Sequence, residues 1–465
     1  MDFLDIAKTC RRFYQIVLPL MYHRFSLSVG HFIITQCVPM PLKALKLLGR
    51  SLRENPSLGS YCKKIWLQLE HPRIPEGEPW EDIHLTDLVV DPDVLEGIQL
   101  TKDLVGLLTG VEDLYVTGGF HHYQHVGVWD IIATATARMP KLYELNLNHW
   151  SQPVPECTGP LLKCTALSTS LKHLVVDKIA DHDSPLDKIA NMRHPTIEQL
   201  TITTNRTGVE RAKTLIAWPE NLVELALETD PDGYGSAERP GIAQFMRLLG
   251  PQKRTLRKLA LGSTKRMTGL QTFDVRDFDK LEELNVSVTS VIPEQGLQER
   301  LLAPGLRKFT LCFNTEGDQR DGVLPVGLRA QGDCLAAGLA LLALERKVPL
   351  EEIFLDFYPD DQGMRPEELG DMIKSWEYID QLRDELGPLG IKVKCASMVG
   401  DLVRAWKKCW GIDQEEKANE AEEEVEGGLE PWELEEDSNG DPIVPLDGDT
   451  QENKITGYFQ AQPRP

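Results

Sequence analysis

The sequence has no CxxC pair, no apolar run long enough to span a bilayer and no surplus of basic charge, and each absence removes a class of protein. Its nine cysteines stand at 10, 37, 62, 157, 164, 312, 334, 395 and 409. An odd, unpaired set of this kind reads as small buried hydrophobes rather than as a disulfide framework or a zinc site. The longest apolar stretch of note, Cys334 to Leu344, is broken by glycine and reaches about half the length that a bilayer helix needs. With 72 acidic and 50 basic residues the net charge is -22, which repels a phosphate backbone or an anionic lipid surface. Neither nucleic acid nor membrane is an expected partner. The opening Met1-Asp2-Phe3-Leu4-Asp5 carries acids where a secretory signal needs lysine or arginine, so the expected location is the cytoplasm, the nucleus or both. Walker loop, GxSxG elbow, HExxH helix and dinucleotide-binding glycine fingerprint are all missing, and the chain is expected to be non-catalytic and to need no cofactor.

What the chain does have is length and a repeat. At 465 residues it exceeds what one closed core holds, which leaves several globular units or one elongated array. From Asp413 onward there are 17 acidic and 3 basic residues, or -14, so the first 412 carry only -8 of the -22. A segment this charged and this poor in apolar residues cannot offset its ordering entropy, and 413–465 is expected to be a disordered acidic tail.

In the body, the pattern apolar-x-x-apolar-x-apolar recurs as Val111-Leu114-Val116, Leu142-Leu145-Leu147, Leu171-Leu174-Val176, Ile197-Leu200-Ile202 and Leu222-Leu225-Leu227. It continues as Leu256-Leu259-Leu261, Leu281-Leu284-Val286, Leu306-Phe309-Leu311 and Leu350-Ile353-Leu355. A weaker copy, Cys62-Ile65-Leu67, precedes these, and Ile391 to Cys395 offers a last strand. Successive copies start 25 to 44 residues apart, close to the period of leucine-rich repeats with a few insertions. The final alternation is that of a short strand with one apolar side. Helical apolar spacing separates the strands, as in Trp129 to Met139 and Gly241 to Leu249. Met139-Pro140, Trp218-Pro219, Ala303-Pro304 and Val348-Pro349 break the chain ahead of strands. A strand, a turn and a helix per unit, each unable to bury its apolar side alone, predict an α/β leucine-rich-repeat solenoid of horseshoe form. The array is expected over 62–400, with a cap helix over 401–412 around Leu402, Val403 and Trp406.

Residues 1–28 read as one or two helices, with Phe3, Leu4, Ile6, Cys10, Phe13, Ile16, Val17 and Leu20 spaced to cover one side; 29–61 read as a helical connector. The run from Leu4 to Tyr14, followed by Leu18-Pro19-Leu20-Met21-Tyr22, resembles the second half of an F-box, the helical module that docks on the Skp adaptor of cullin-RING ubiquitin ligases. The stretch from Leu47 to Leu67 is similar to the join between F-box and repeats in fungal F-box/leucine-rich-repeat proteins. The resemblance implies that Leu4, Cys10, Arg11, Phe13 and Tyr14 contact the adaptor and that the repeats hold a protein substrate. The family's module opens with a Leu-Pro-containing helix that has no counterpart in this sequence, so an incomplete F-box is expected.

On such an array the solvent-facing strand positions form a ladder on the concave side. Tyr115, Asn146, Asn148, Asp177, Thr203, Glu228, Asn285, Phe354, Asp356 and Tyr358 are the candidate partner-binding residues, with Phe354, Tyr115 and Tyr358 as anchors. Their mix leans acidic and suits a partner with some positive charge. Ile455, Tyr458 and Phe459 resemble the apolar-x-x-aromatic-aromatic core of sliding-clamp binding peptides, which implies a clamp as a further partner. The cluster His121-His122-Tyr123-Gln124-His125 lies among glycines, and a loop of solvated histidines is expected there rather than a metal site. Lys253, Arg254, Arg257 and Lys258 form the one basic cluster and read as a solvated face.

Overall fold

The computed structural model describes residues 11–29, 40–69, 92–118, 127–148, 158–166, 168–179, 193–204, 209–229, 246–262, 273–287, 296–313, 326–357 and 380–395. The chain divides into two units, Met1–Val399 and Gly400–Pro465, and every described residue belongs to the first. The cap helix expected over 401–412 and the tail over 413–465 therefore lie outside the described residues.

Helix α1 (Arg11–Met21) leads into strand β1 (Arg24–Val29), α2 (Leu42–Glu54), a single 3-10 turn (Pro56–Ser60) and β2 (Lys64–Leu69). There follow α3 (Pro92–Val105), β3 (Asp113–Gly118), α4 (Val128–Arg138), β4 (Glu144–Asn148), α5 (Thr158–Thr165), β5 (His173–Ile179) and β6 (Gln199–Thr204). Then come α6 (Val209–Ala217), β7 (Glu224–Thr229), β8 (Lys258–Leu261), β9 (Glu283–Ser287), α7 (Leu297–Leu301), β10 (Lys308–Phe313), α8 (Val326–Glu345), β11 (Glu352–Phe357) and β12 (Lys392–Cys395). Among the described residues the 12 strands form one sheet in the order β1 to β12. All neighbours are parallel. Each strand thus pairs with its neighbours in sequence, the topology that a stack of strand-helix units produces.

One difference from the sequence reading stands at the start. Residues 24–29, expected partly as helix, form β1, so the sheet begins ahead of 62 and inside the segment assigned to the F-box-like helices. Phe25, Leu27 and Val29 alternate as a strand requires, and Tyr22, Phe25 and Leu27 follow the repeat pattern with tyrosine in its first place. Tyr22 and Phe25 meet edge to face at 5.8 Å.

The repeat pattern explains the register. All 27 apolar residues of the nine copies are at most 7% exposed. Their middle members align as Leu114, Leu145, Leu174, Leu200, Leu225, Leu259, Leu284, Phe309 and Ile353 without a slip. Ile131, Ile132, Ala135 and Met139 of the α4 region and their equivalents on the other helices join the same apolar cluster. Burial alternates along the strands, so only one side of the sheet is closed by that cluster. The corner before each strand is also repeated. The carbonyl of Lys63 accepts from the amides of Glu112 (2.8 Å) and Asp113 (3.0 Å), and that of Glu112 accepts from Tyr143 and Glu144. The same double bond is made by Tyr143, Lys172, Glu198, Val223, Arg257, Glu282 and Arg307. Backbone polarity is thereby satisfied at a turn that a closed core would have to bury.

Close backbone approach fixes one glycine. The Gly110 amide donates to the Gly59 carbonyl at 3.1 Å, and a Cβ on Gly110 would lie 2.1 Å from the carbonyl oxygen of Ser60. Gly110→Ala is expected to cost about 1–3 kcal/mol, as overpacking against backbone does; urea unfolding that leaves the midpoint unchanged would contradict this contact. Among the described residues no helix is long and apolar enough to cross a membrane.

Candidate interaction surface

The side of the sheet away from the helices carries three rows of side chains, one for each outward strand position. The middle row runs through Trp66, Tyr115, Asn146, Val175, Thr201 and Ala226, then Ala260, Asn285, Thr310 and Phe354, each in register with the next. Tyr115, Asn146, Asn285 and Phe354, predicted as partner-binding residues, therefore lie in a single line. Asn148 is exposed at the end of β4 opposite Thr117. Thr203 pairs with the backbone position of Glu228, and Asp356 with Cys312. Asp177 falls where the β5 and β6 register shifts between Val176 and Ile179, so it stands out of line with the others. Tyr358 lies outside the described residues, as do Leu4, Cys10, Ile455, Tyr458, Phe459 and the histidine cluster at 121–125.

Large side chains concentrate at the two ends of this line. At one end the Arg24 guanidinium sits 3.9 Å from the centre of the Trp66 ring, and Trp66 meets Tyr115 at 5.5 Å, tilted by 58°. At the other, Lys308 Nζ lies 5.4 Å from the Phe354 ring. Between them stand the smaller side chains of Val175, Thr201, Ala226 and Ala260. Arginine, tryptophan and tyrosine are the side chains that most often anchor protein interfaces.

The first row, at the start of each strand, escaped the sequence reading and changes the electrostatics. Lys64 pairs with Asp113 at 2.7 Å, Glu144 with His173 at 3.1 Å, and Lys258 with Glu224 at 3.2 Å and Glu283 at 3.5 Å. Lys308 and Lys394 both pair with Glu352. A parallel set one residue earlier joins Lys63 to Glu112, Lys172 to Glu198 and Arg307 to Glu351. Exposed pairs of this kind add about 0–1 kcal/mol each. Each sets opposite charges side by side on adjacent strands, a favourable cross-strand contact. Many carboxylates on this side are already neutralised by a neighbour, so the acidic lean expected from the sequence is much reduced. The signal was present: the residue just before the second apolar position is charged in most copies, and its sign alternates from Glu224 through Lys258, Glu283 and Lys308 to Glu352. The basic cluster is likewise taken up, with Lys253 on Asp277 at 2.8 Å and Arg257 on Glu282 at 3.7 Å.

Glu144, His173 and Thr201 form a relay across three strands, with Glu144 Oε2 3.1 Å from His173 Nδ1 and His173 Nε2 3.5 Å from Thr201 Oγ1. The order is that of a carboxylate, base and hydroxyl. The hydroxyl contact is long, and the main-chain amides of β4, β5, β6 and β7 beside it are engaged in the sheet, so among the described strand residues none offers a donor for an oxyanion. Burial raises the Glu144 pKa, but the hydrogen bond and charge of His173, the Tyr115 hydroxyl and Lys64 outweigh it and hold the carboxyl below its ordinary value. Burial first, then the charges of Glu144 and Asp113, push the Tyr115 phenol up, so it stays a donor to Glu144. A carboxyl with a lowered folded pKa adds stability above its unfolded pKa, about 4.3, that is lost as pH falls through the folded value. Glu144→Gln is therefore expected to cost about 1 kcal/mol at pH 7, with the gap to wild type closing as pH drops below 4. A gap that is constant from pH 7 to 3 would contradict this.

Among the described residues no group of three or more His, Cys, Asp or Glu side chains is placed to hold a metal ion. Cys62, Cys164 and Cys395 are free thiols, and Cys312 Sγ donates to Asn285 Oδ1 at 3.0 Å. Burial pushes Cys62 up to about 12 and Cys164 to about 11, which keeps both protonated.

The N-terminal candidates fall partly on α1. Arg11 and Phe13 lie on this helix and Tyr14 is exposed on it. Val17 anchors the helix at 4% exposure, while Ile16 (54%), Leu20 (57%) and Met21 stand in solvent. Ile16 and Leu20, one turn apart, are the surface residues that the reading of Leu4 to Tyr14 missed, because the expected apolar stripe was assigned to a buried side.

Compared with protein-family models and with curated proteins, the chain matches none.

Proposed function

We propose that the parallel sheet is the strand layer of a leucine-rich-repeat solenoid and that the chain is a non-catalytic substrate receptor of a cullin-RING ubiquitin ligase. Helix α1 and the segment before it hold a Skp-type adaptor, and the free side of the sheet holds the protein to be modified. Ubiquitin transfer takes place on other subunits. The receptor acts by proximity, raising the effective concentration of substrate lysines near the conjugating enzyme. The work is done in the cytoplasm or the nucleus.

The observation that carries this reading is the exposed apolar set Tyr14, Ile16, Leu20 and Met21 on one short helix. Most apolar residues of the repeats join a single cluster; Leu47, Leu341, Leu344 and Leu389 are the other exposed large ones among the described residues, and four on one 11-residue helix is the densest set, which supports reading it as surface kept for a partner. The one-sided sheet supports the second half of the reading, since side chains from many strands converge there. The test is co-purification of the full-length protein with the Skp adaptor and cullin. Stable co-elution is expected. Its absence favours a repeat scaffold that assembles partners without degradation.

A further inference from the structure

Three polar atoms at the β1–β3 end of the free side are buried and have no hydrogen-bond partner: Ser28 Oγ, Trp66 Nε1 and Gln68 Oε1. Ser28 is only 5% exposed. The register places them together, Ser28 opposite Gln68 and Ser26 opposite Trp66. Native folds rarely leave such groups unpaired, and a ligand that supplies the missing partner recovers the lost bonds. Trp66 and Gln68 are themselves half-buried, so a side-chain rotation, rather than opening of the sheet, brings their polar atoms to the surface.

The set has a chemical signature. The indole N–H only donates and the Gln68 oxygen only accepts, the complement of the C=O and N–H of a main chain. The two residues lie two apart on one strand, about 7 Å, which is also the repeat of like-facing amides in an extended peptide. Arg24 adds a cation beside them. It stacks on Trp66 and pairs with no carboxylate among the described residues, whereas Lys64 is taken by Asp113 and His173 faces Glu144.

We propose that this end of the sheet anchors an extended acidic peptide segment of the partner protein. Its carboxylate pairs with Arg24. Its main chain accepts from Trp66 Nε1 and donates to Gln68 Oε1, with an apolar side chain against Trp66 and Tyr115. Ser28 Oγ offers a further bond beneath. The proposal rests on the reading of the free side as a protein-binding surface and specifies what is bound there.

The test is selection of random twelve-residue displayed peptides on the full-length protein, followed by fluorescence anisotropy with the best synthetic peptide. Asp or Glu should be enriched at one fixed position. Replacing that acid by its amide should weaken binding about tenfold, equivalent to about 1.4 kcal/mol, on the wild type and not on Arg24→Gln. Trp66→Phe, which keeps an aromatic ring and removes the N–H, should weaken binding about fivefold or more, while Lys392→Gln on the opposite edge leaves it unchanged. Peptides without a fixed acid, binding indifferent to both Arg24→Gln and Trp66→Phe, or a peptide that binds only when the acid is replaced by phosphoserine would each overturn the proposal. Arg24 is exposed, so its variant remains informative should Trp66→Phe fold poorly. Adaptor co-elution of the same variants separates the two failures: lost peptide binding with adaptor retained concerns this site alone.

Discussion

Replacing Leu145 by aspartate is expected to abolish cooperative folding of the sheet, while Asn146→Asp, one residue further along, changes the unfolding midpoint little. Leu145 is 0% exposed and is flanked in register by Leu114 and Leu174. Losing the leucine alone costs about 2–5 kcal/mol. A carboxylate in its place must also be desolvated or protonated at a cost of several kcal/mol. The sum is comparable to the roughly 5–15 kcal/mol that stabilises an ordinary domain. In a nearest-neighbour array the damage spreads to β3 and β5, because each strand has no other partners. Asn146 lies on the free side, where substitutions are worth about ±0.5 kcal/mol. Circular dichroism and thermal unfolding separate the two variants. A Leu145→Asp protein with native spectrum and transition would mean that this residue does not point into the core.

The second large effect concerns binding rather than folding. Ile16→Glu together with Leu20→Glu should remove adaptor retention while leaving stability within about 1 kcal/mol, since both side chains are more than half exposed. Anchor residues at an interface cost about 2 kcal/mol or more each when lost, so the pair should weaken binding by a factor of several hundred or more. Val17→Glu is the informative contrast, since Val17 is 4% exposed and its loss is expected to disturb the helix itself. Retention unchanged in the double variant would place the adaptor contact elsewhere, and the exposed patch on α1 would need another explanation.

How much of this was legible in the sequence varies from element to element. The leucine ladder was, because the pattern is local: three apolar positions within six residues identify each strand, and nine copies in succession identify the array. The strand β1 was hidden by Tyr22, an aromatic in the first apolar place, and by the amphipathic spacing of the residues just before it. The rows of paired charges were half legible. Their signs stand in the sequence, but Lys64 and Asp113 are 49 residues apart and become neighbours only once the register is known. The unpaired atoms of Ser28, Trp66 and Gln68 could not be found that way, because burial of a single polar atom depends on everything packed around it. Trp66 itself was legible as a ladder position. Its stacking under Arg24 was not, since Arg24 had been assigned to a helix.

A continuous binding surface requires the strand order β1 to β12 to hold through the whole sheet. The longest interval among the nine full copies, 44 residues from Leu306 to Leu350, is the most demanding place for that order. Cys312 Sγ on β10 lies 3.4 Å from Asp356 Oδ2 on β11, and the two residues are register partners, within the separation a disulfide spans. Asp356→Cys should therefore form a disulfide with Cys312 under mild oxidation, detected by mass spectrometry of the linked peptides. Phe354→Cys, two positions back and in register with Thr310 rather than Cys312, should not. Absence of the 312–356 crosslink, or equal crosslinking at 354, would show that the ladder does not continue across this interval and would contradict the single free surface on which the receptor reading rests.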